Sequence, residues 1–215
     1  MIRLFVFDLD GTLVDSRRDL AEAANELLEQ CGGAPLPEER VGRMVGEGAA
    51  VLVARVFQAR GIDPPPDALP RFLAIYDGRL LNHTRAYEGM HDTLTSLSER
   101  APLGVLTNKP LAATRRILGG LDLARFFDAD AVVGGDGPFA RKPDPSGLQQ
   151  LAARADVPMA STLLVGDSPI DWETASRAGA GICLARYGFG FEGFPVAQLR
   201  ADDRLIDSPT DLLRL

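Results

Sequence analysis

The chain has 215 residues, 23 basic and 30 acidic, for a net charge of −7; 46% are hydrophobic and 25% charged. This make-up suits a globular fold with one core, or a core with a modest insertion, and its acidity speaks against a nucleic-acid or anionic-membrane surface. No apolar run approaches the roughly 18 residues of a membrane span. Two cysteines, Cys31 and Cys183, make no disulfide framework and fit a reducing cytoplasm, the expected location.

The chain opens on Leu4-Phe5-Val6-Phe7, a short apolar run that ends in Asp8. The segment has no basic region, long apolar core or cleavage site, so no signal peptide is expected. Residues 15–85 then contain no good strand. Helical stretches fall near 19–31, 38–45, 49–60 and 68–81, punctuated by Pro35, Pro37 and Pro64-Pro65-Pro66. Beyond them the apolar runs return: 103–106 ends in Thr107-Asn108, 131–133 is weaker, 163–166 ends in Asp167, and 181–184 and 205–206 follow. Continuous apolarity, without alternation, indicates strands covered on both faces, as in a parallel sheet. Helical patterns at 92–99, 111–118, 146–155 and 171–178 have the length of crossovers, with Asp144-Pro145-Ser146 and Asp171 as helix starts and Gly179 as a stop. The expected architecture is α/β: a doubly wound, Rossmann-like parallel sheet core with a helical cap inserted after the first strand. Residues 1–14 and 86–215 form the core and 15–85 the cap.

In an open α/β sheet, ligands bind beyond the carboxyl ends of the strands. Asp8, Asp10, Thr107, Asn108 and Asp167 should therefore meet in one cleft. Asp8 and Asp10 are two apart, so their side chains leave an extended chain on the same face, and Gly11 then permits a tight turn. Carboxylates held that close repel unless a cation separates them or one holds a proton. A hard ion such as Mg2+ fits, with Asp167 as a further oxygen ligand. Lys142 precedes a predicted helix; with Thr107 and the Asn108 amide it would bind the oxygens of a phosphoryl group. A carboxylate nucleophile, a metal and a lysine around phosphorus form a phosphoryl-transfer site. Taken singly, each feature has a plainer reading. Asp-x-Asp is commonly a turn, Lys142 a solvated lysine, Asp171 a helix cap, and Gly46 and Gly48 a helix connector. Arg17, Arg18, Arg43 and Arg55 would reach an anionic substrate from the cap, or simply form surface ion pairs. His83 and His91 read as structural or solvated.

Together the motifs are recognisable. Phe7-Asp8-Leu9-Asp10-Gly11-Thr12-Leu13-Val14-Asp15-Ser16 resembles the first motif of the haloacid dehalogenase-like phosphatases. Leu106-Thr107-Asn108-Lys109, Lys142-Pro143-Asp144-Pro145 and Gly166-Asp167-Ser168-Pro169-Ile170-Asp171 resemble the second, third and fourth. The resemblance runs almost end to end and is greatest to the phosphoglycolate phosphatase branch. It implies that Asp8 attacks phosphorus and becomes an aspartyl phosphate, while Asp10 protonates the leaving oxygen and then activates water. It implies Mg2+ held by Asp8, Asp10 (through its backbone carbonyl) and Asp167, with Asp171 reaching the ion through water or a neighbour. Thr107, Asn108 and Lys142 would bind the phosphate, and Met44-Val45-Gly46-Glu47-Gly48 resembles the cap's substrate-facing loop. The implied partner is a small phosphorylated metabolite, most of all 2-phosphoglycolate, with no nucleic acid and no membrane, for a monomer or homodimer. A phosphomutase of the β-phosphoglucomutase type remains an alternative, as do pyrophosphate, nucleotide or sugar phosphate substrates. Thr107-Asn108-Lys109 favours hydrolysis over the mutase. Asp10 and the Asp167/Asp171 pair speak against a dehalogenase, and a non-catalytic binding protein is disfavoured because no expected catalytic residue is missing.

Overall fold

The computed structural model describes residues 1–192 and 194–215. In chain order the elements are β1 (Leu4–Phe7), β2 (Val14–Asp15), α1 (Arg17–Gln30), α2 (Glu38–Gly42), α3 (Ala49–Gln58), α4 (Ala68–Asp77), β3 (Arg85–Ala86), α5 (Met90–Ser98) and β4 (Leu103–Leu106). There follow α6 (Leu111–Gly120), β5 (Val132–Val133), α7 (Ser146–Arg154), β6 (Thr162–Gly166), α8 (Pro169–Ala178), β7 (Gly181–Ala185) and β8 (Arg204–Ile206).

Six parallel strands stand in the order β5-β4-β1-β6-β7-β8. All of β1 is buried because it lies in the middle of this sheet. Its side chains alternate between two apolar layers, as the pleat requires. Phe5 and Phe7 pack with Leu94 of α5 and Ile117 of α6, whereas Leu4 and Val6 pack with Leu148 of α7 and Ala175 of α8. Helices thus cover both faces, and the doubly wound parallel sheet expected from the sequence is present. The chain leaves β1 toward β4 but leaves β6 toward β7, so a crevice opens between β1 and β6, where Phe7 pairs with Val165. Such a switch point is where this architecture places its ligands.

All four helices α1–α4 lie between β2 and β3, which form a two-residue antiparallel ribbon with Val14 opposite Ala86 and Asp15 opposite Arg85. The ribbon is too short to leave a pattern in sequence. Asp171 is a corrected helix start. Ser168 is the N-cap of α8, Pro169 its first residue, and Asp171 its third, closing a reciprocal capping box. Gly179 stops the helix with φ +72, as expected.

Asp19 of α1 anchors the return from the helices to the sheet. It is fully buried and accepts hydrogen bonds of 2.7–3.1 Å from the His83 and Thr84 backbone N–H groups and the Thr84 hydroxyl. An Asp19→Ala substitution strands those donors out of reach of water, and we expect a stability loss of about 2–4 kcal/mol in urea unfolding. A loss under about 1 kcal/mol would mean that water satisfies them.

Candidate active site

Asp8 directly follows β1 and Asp167 directly follows β6, on either side of the crevice. The Asp8 N–H donates to the Val165 carbonyl at 2.8 Å, so the sheet ladder continues through the first site residue. Asp8 Oδ1 accepts the Leu9 N–H at 2.7 Å and pairs with Lys142 Nζ at 2.9 Å. Lys142 Nζ also donates to Asp171 Oδ1 at 2.6 Å. The other Asp171 oxygen accepts the Ser168 N–H at 3.1 Å and the Ser168 hydroxyl at 2.6 Å. Asp167 Oδ2 accepts the Gly190 N–H at 2.7 Å. Glycines make room for this carboxylate. A Cβ on Gly11, whose φ is +82, would come within 1.9 Å of Asp167 Oδ2, and one on Gly188 within 2.3 Å of Asp167 Cβ.

Three buried carboxylates, those of Asp8, Asp167 and Asp171, offer oxygens within 4.8 Å of one another. Lys142 is the one ammonium that touches any of them, so the group is two negative charges in excess among the described residues. Burial pushes the Asp8 carboxyl up to about 6, with Lys142 opposing and Asp171 adding to the rise. Burial, then the charges of Asp171 and Asp8, hold Asp167 well above the usual carboxylate range. Burial alone would lower Lys142, but Asp171 and Asp8 outweigh it and raise its proton affinity above an ordinary lysine's. An all-oxygen, over-charged cluster of this kind fits a hard divalent cation.

The structure rearranges one part of the sequence-based expectation. The converging carboxylates are those of Asp8, Asp167 and Asp171; the Asp10 carboxylate is turned elsewhere. It accepts the Ser16 hydroxyl and both N–H···O contacts of Lys109 Nζ, at 3.1 and 2.9 Å. Asp10 is therefore paired with its own lysine, and any part it takes in holding a cation falls to its backbone carbonyl. Both Asp171 oxygens are already engaged, which suits contact with an ion through water or a neighbour.

Thr107 Oγ1 accepts the Lys109 N–H at 3.2 Å. Asn108 Nδ2 donates to the Gly46 carbonyl at 2.9 Å and the Lys142 carbonyl at 3.0 Å, which ties the 46–48 loop to the site. Beside Asp10 lies a cavity of about 310 Å³, lined by Asp10, Lys109, Tyr76, Gly46, Gly48 and Phe72 among others. Glu47 is engaged instead by Arg55. Arg17, Arg18, Arg43 and Arg55 are all committed to ion pairs with acidic neighbours. Lys109 has no individual role in the sequence pattern. Its place directly after Thr107-Asn108, at the end of an apolar strand, was the available signal.

Fold and site define an α/β protein that gathers acidic groups and a lysine at its switch point. The haloacid dehalogenase-like hydrolase family model matches residues 5–185, and the chain belongs to that family. It is 44% identical over 211 residues to a phosphoglycolate phosphatase of Rhodospirillum rubrum, covering 94% of this chain and 86% of that protein. To one of Nitrosospira multiformis it is 36% identical over 208 residues, covering 94% and 90%. A Haemophilus somnus crystal structure, described as a predicted phosphoglycolate phosphatase, superposes with a TM-score of 0.90 at 30% identity, covering 99% of this chain and 97% of that one.

A group whose folded pKa is raised binds more protons folded than unfolded between the two values, so stability falls as pH rises through that window. For Asp8 the window runs from its ordinary 3.8 to about 6. A cation that replaces the protons restores that stability. The increase in Tm on adding Mg2+ to chelator-treated protein should therefore be larger at pH 7.5 than at pH 5. Equal increases at both pH values would mean that these carboxylates do not hold the ion.

Proposed function

We propose that the chain is a Mg2+-dependent phosphatase that hydrolyses a small phosphate monoester through an aspartyl phosphate, with 2-phosphoglycolate as its substrate. The observation that carries the chemistry is the Asp8–Lys142 pair beside Asp167 at the switch point. The relatives named above support the choice of substrate.

Lys142 keeps Asp8 ionised and aimed, and an Asp8 oxygen attacks phosphorus as the bond to the ester oxygen breaks. Asp10, which also lines the cavity, enters the cycle protonated, delivers that proton to the ester oxygen as it leaves, and regains one from the water that later cleaves the acyl phosphate. Asp8, Asp167 and the Asp10 backbone carbonyl would hold Mg2+, which supplies charge for the phosphoryl oxygens. Thr107, Asn108 and Lys142 serve the phosphoryl group, and Asp171 orients Lys142. Residues 15–85 act as a lid over the core, and Gly46 and Gly48 face the leaving group. A mutase must dock a second phosphoryl group. The cavity has a single cation among its described lining residues, which favours hydrolysis.

In a panel of phosphate esters assayed with Mg2+, 2-phosphoglycolate should release phosphate fastest, and a chelator should abolish turnover. Asp8→Asn should lower kcat at least about 10⁴-fold with the fold intact. Trapping of a phosphoenzyme in that variant at wild-type levels would sink the assignment. Asp10→Asn should cost about 10²–10⁴-fold on alkyl phosphates and much less on p-nitrophenyl phosphate, whose leaving group needs no proton. Equal losses on both would remove Asp10 from the acid role.

A further inference from the structure

We propose that Lys109 and Tyr76 together bind the carboxylate of the leaving group, which makes Lys109 the residue by which this site selects an acidic ester. The inference rests on the phosphoglycolate reading above and adds the groups that would recognise the acid.

The cavity beside Asp10 is otherwise mostly apolar, and Lys109 is the only cation among its described lining residues. The ammonium is nearly buried, with 5% of its side chain exposed. Its backbone is anchored by Thr107 Oγ1 at 3.2 Å and by the Gly135 N–H, which donates to the Lys109 carbonyl at 2.8 Å. An ammonium has three donors. Those of Lys109 reach both Asp10 oxygens and the Tyr76 hydroxyl, the last at 2.8 Å. The phenol is the weakest of these acceptors, and a carboxylate entering the cavity would take its place, because charge-assisted hydrogen bonds are the stronger ones.

Tyr76 then contributes in its turn. A hydroxyl that accepts from Lys109 keeps its own hydrogen to donate. Burial pushes this phenol up to about 12, so that hydrogen is present at neutral pH. The ring is stacked on Phe72 at 5.9 Å, which fixes where the hydroxyl points. One ammonium would then serve two carboxyl groups, that of Asp10 and that of the substrate. Lys142 already does so between Asp8 and Asp171 in the same site. An ester with a neutral leaving group gains nothing from this arrangement.

The test compares kcat/KM for 2-phosphoglycolate with that for 2-hydroxyethyl phosphate, which has the same length but no carboxylate. Losing Lys109 as the counter-ion of Asp10 slows both esters, and the ratio cancels that effect. In Lys109→Met the preference for the acid should fall by about 10- to 100-fold, and in Tyr76→Phe by roughly 3- to 10-fold. A wild-type preference that survives in both variants overturns the inference and leaves the substrate reading standing. Should Lys109→Met fail to fold in a thermal melt, Tyr76→Phe decides by the same ratio. A wild-type enzyme indifferent to the two esters overturns the substrate reading, and the inference with it.

Discussion

At the centre of the molecule a single buried ammonium, that of Lys142, stands between two carboxylates, Asp8 and Asp171, with a third, Asp167, close by. Like charges cannot be collected away from water without compensation. The surrounding structure follows from that constraint. The β1–β6 register brings Asp8 and Asp167 to the same crevice, and the helix start at Ser168 engages the far side of Asp171. Gly11, Gly188 and Gly190 clear the space in which Asp167 sits. What remains uncompensated is negative, and it is the feature that calls for a cation.

The same arithmetic recurs one layer out. Lys109 offsets Asp10 and touches Tyr76 of α4, while its neighbour Asn108 reaches the Gly46 carbonyl. Two consecutive residues after β4 therefore join the sheet to the inserted helices through polar contacts. A movement of those helices would have to exchange these bonds for others, such as bonds to a substrate. The crossing itself is narrow, since the chain passes in and out through a ribbon of two residues per strand. A short ribbon with few backbone hydrogen bonds is the kind of element that absorbs a hinge motion.

Much of the fold was legible in the sequence. The runs at 4–7, 103–106 and 163–166 are continuous apolar stretches because both faces of a parallel sheet are covered, and their polar ends are legible for the same reason. The helices between β2 and β3 showed in periodicity and in their prolines. The ribbon itself did not, because two residues carry no period. By residue type Ser168 and Asp171 are equally good caps of α8, and only backbone geometry separates an N-cap from a third residue.

Residue types and chain order alone single out Asp8, Asp10, Thr107, Asn108, Lys142 and Asp167 as candidates for one cleft. Asp8, Thr107 and Asp167 each close an apolar run, and strand ends converge in any doubly wound sheet. Partnership was decided only by tertiary structure. Asp8 and Asp10 are equivalent in spacing, yet one faces Lys142 and Asp167 while the other faces Ser16 and Lys109. The chain turns at Gly11, and each carboxylate then pairs with a lysine that lies about a hundred or more residues away in sequence. Such pairings depend on which elements the fold brings side by side, and no local pattern encodes them.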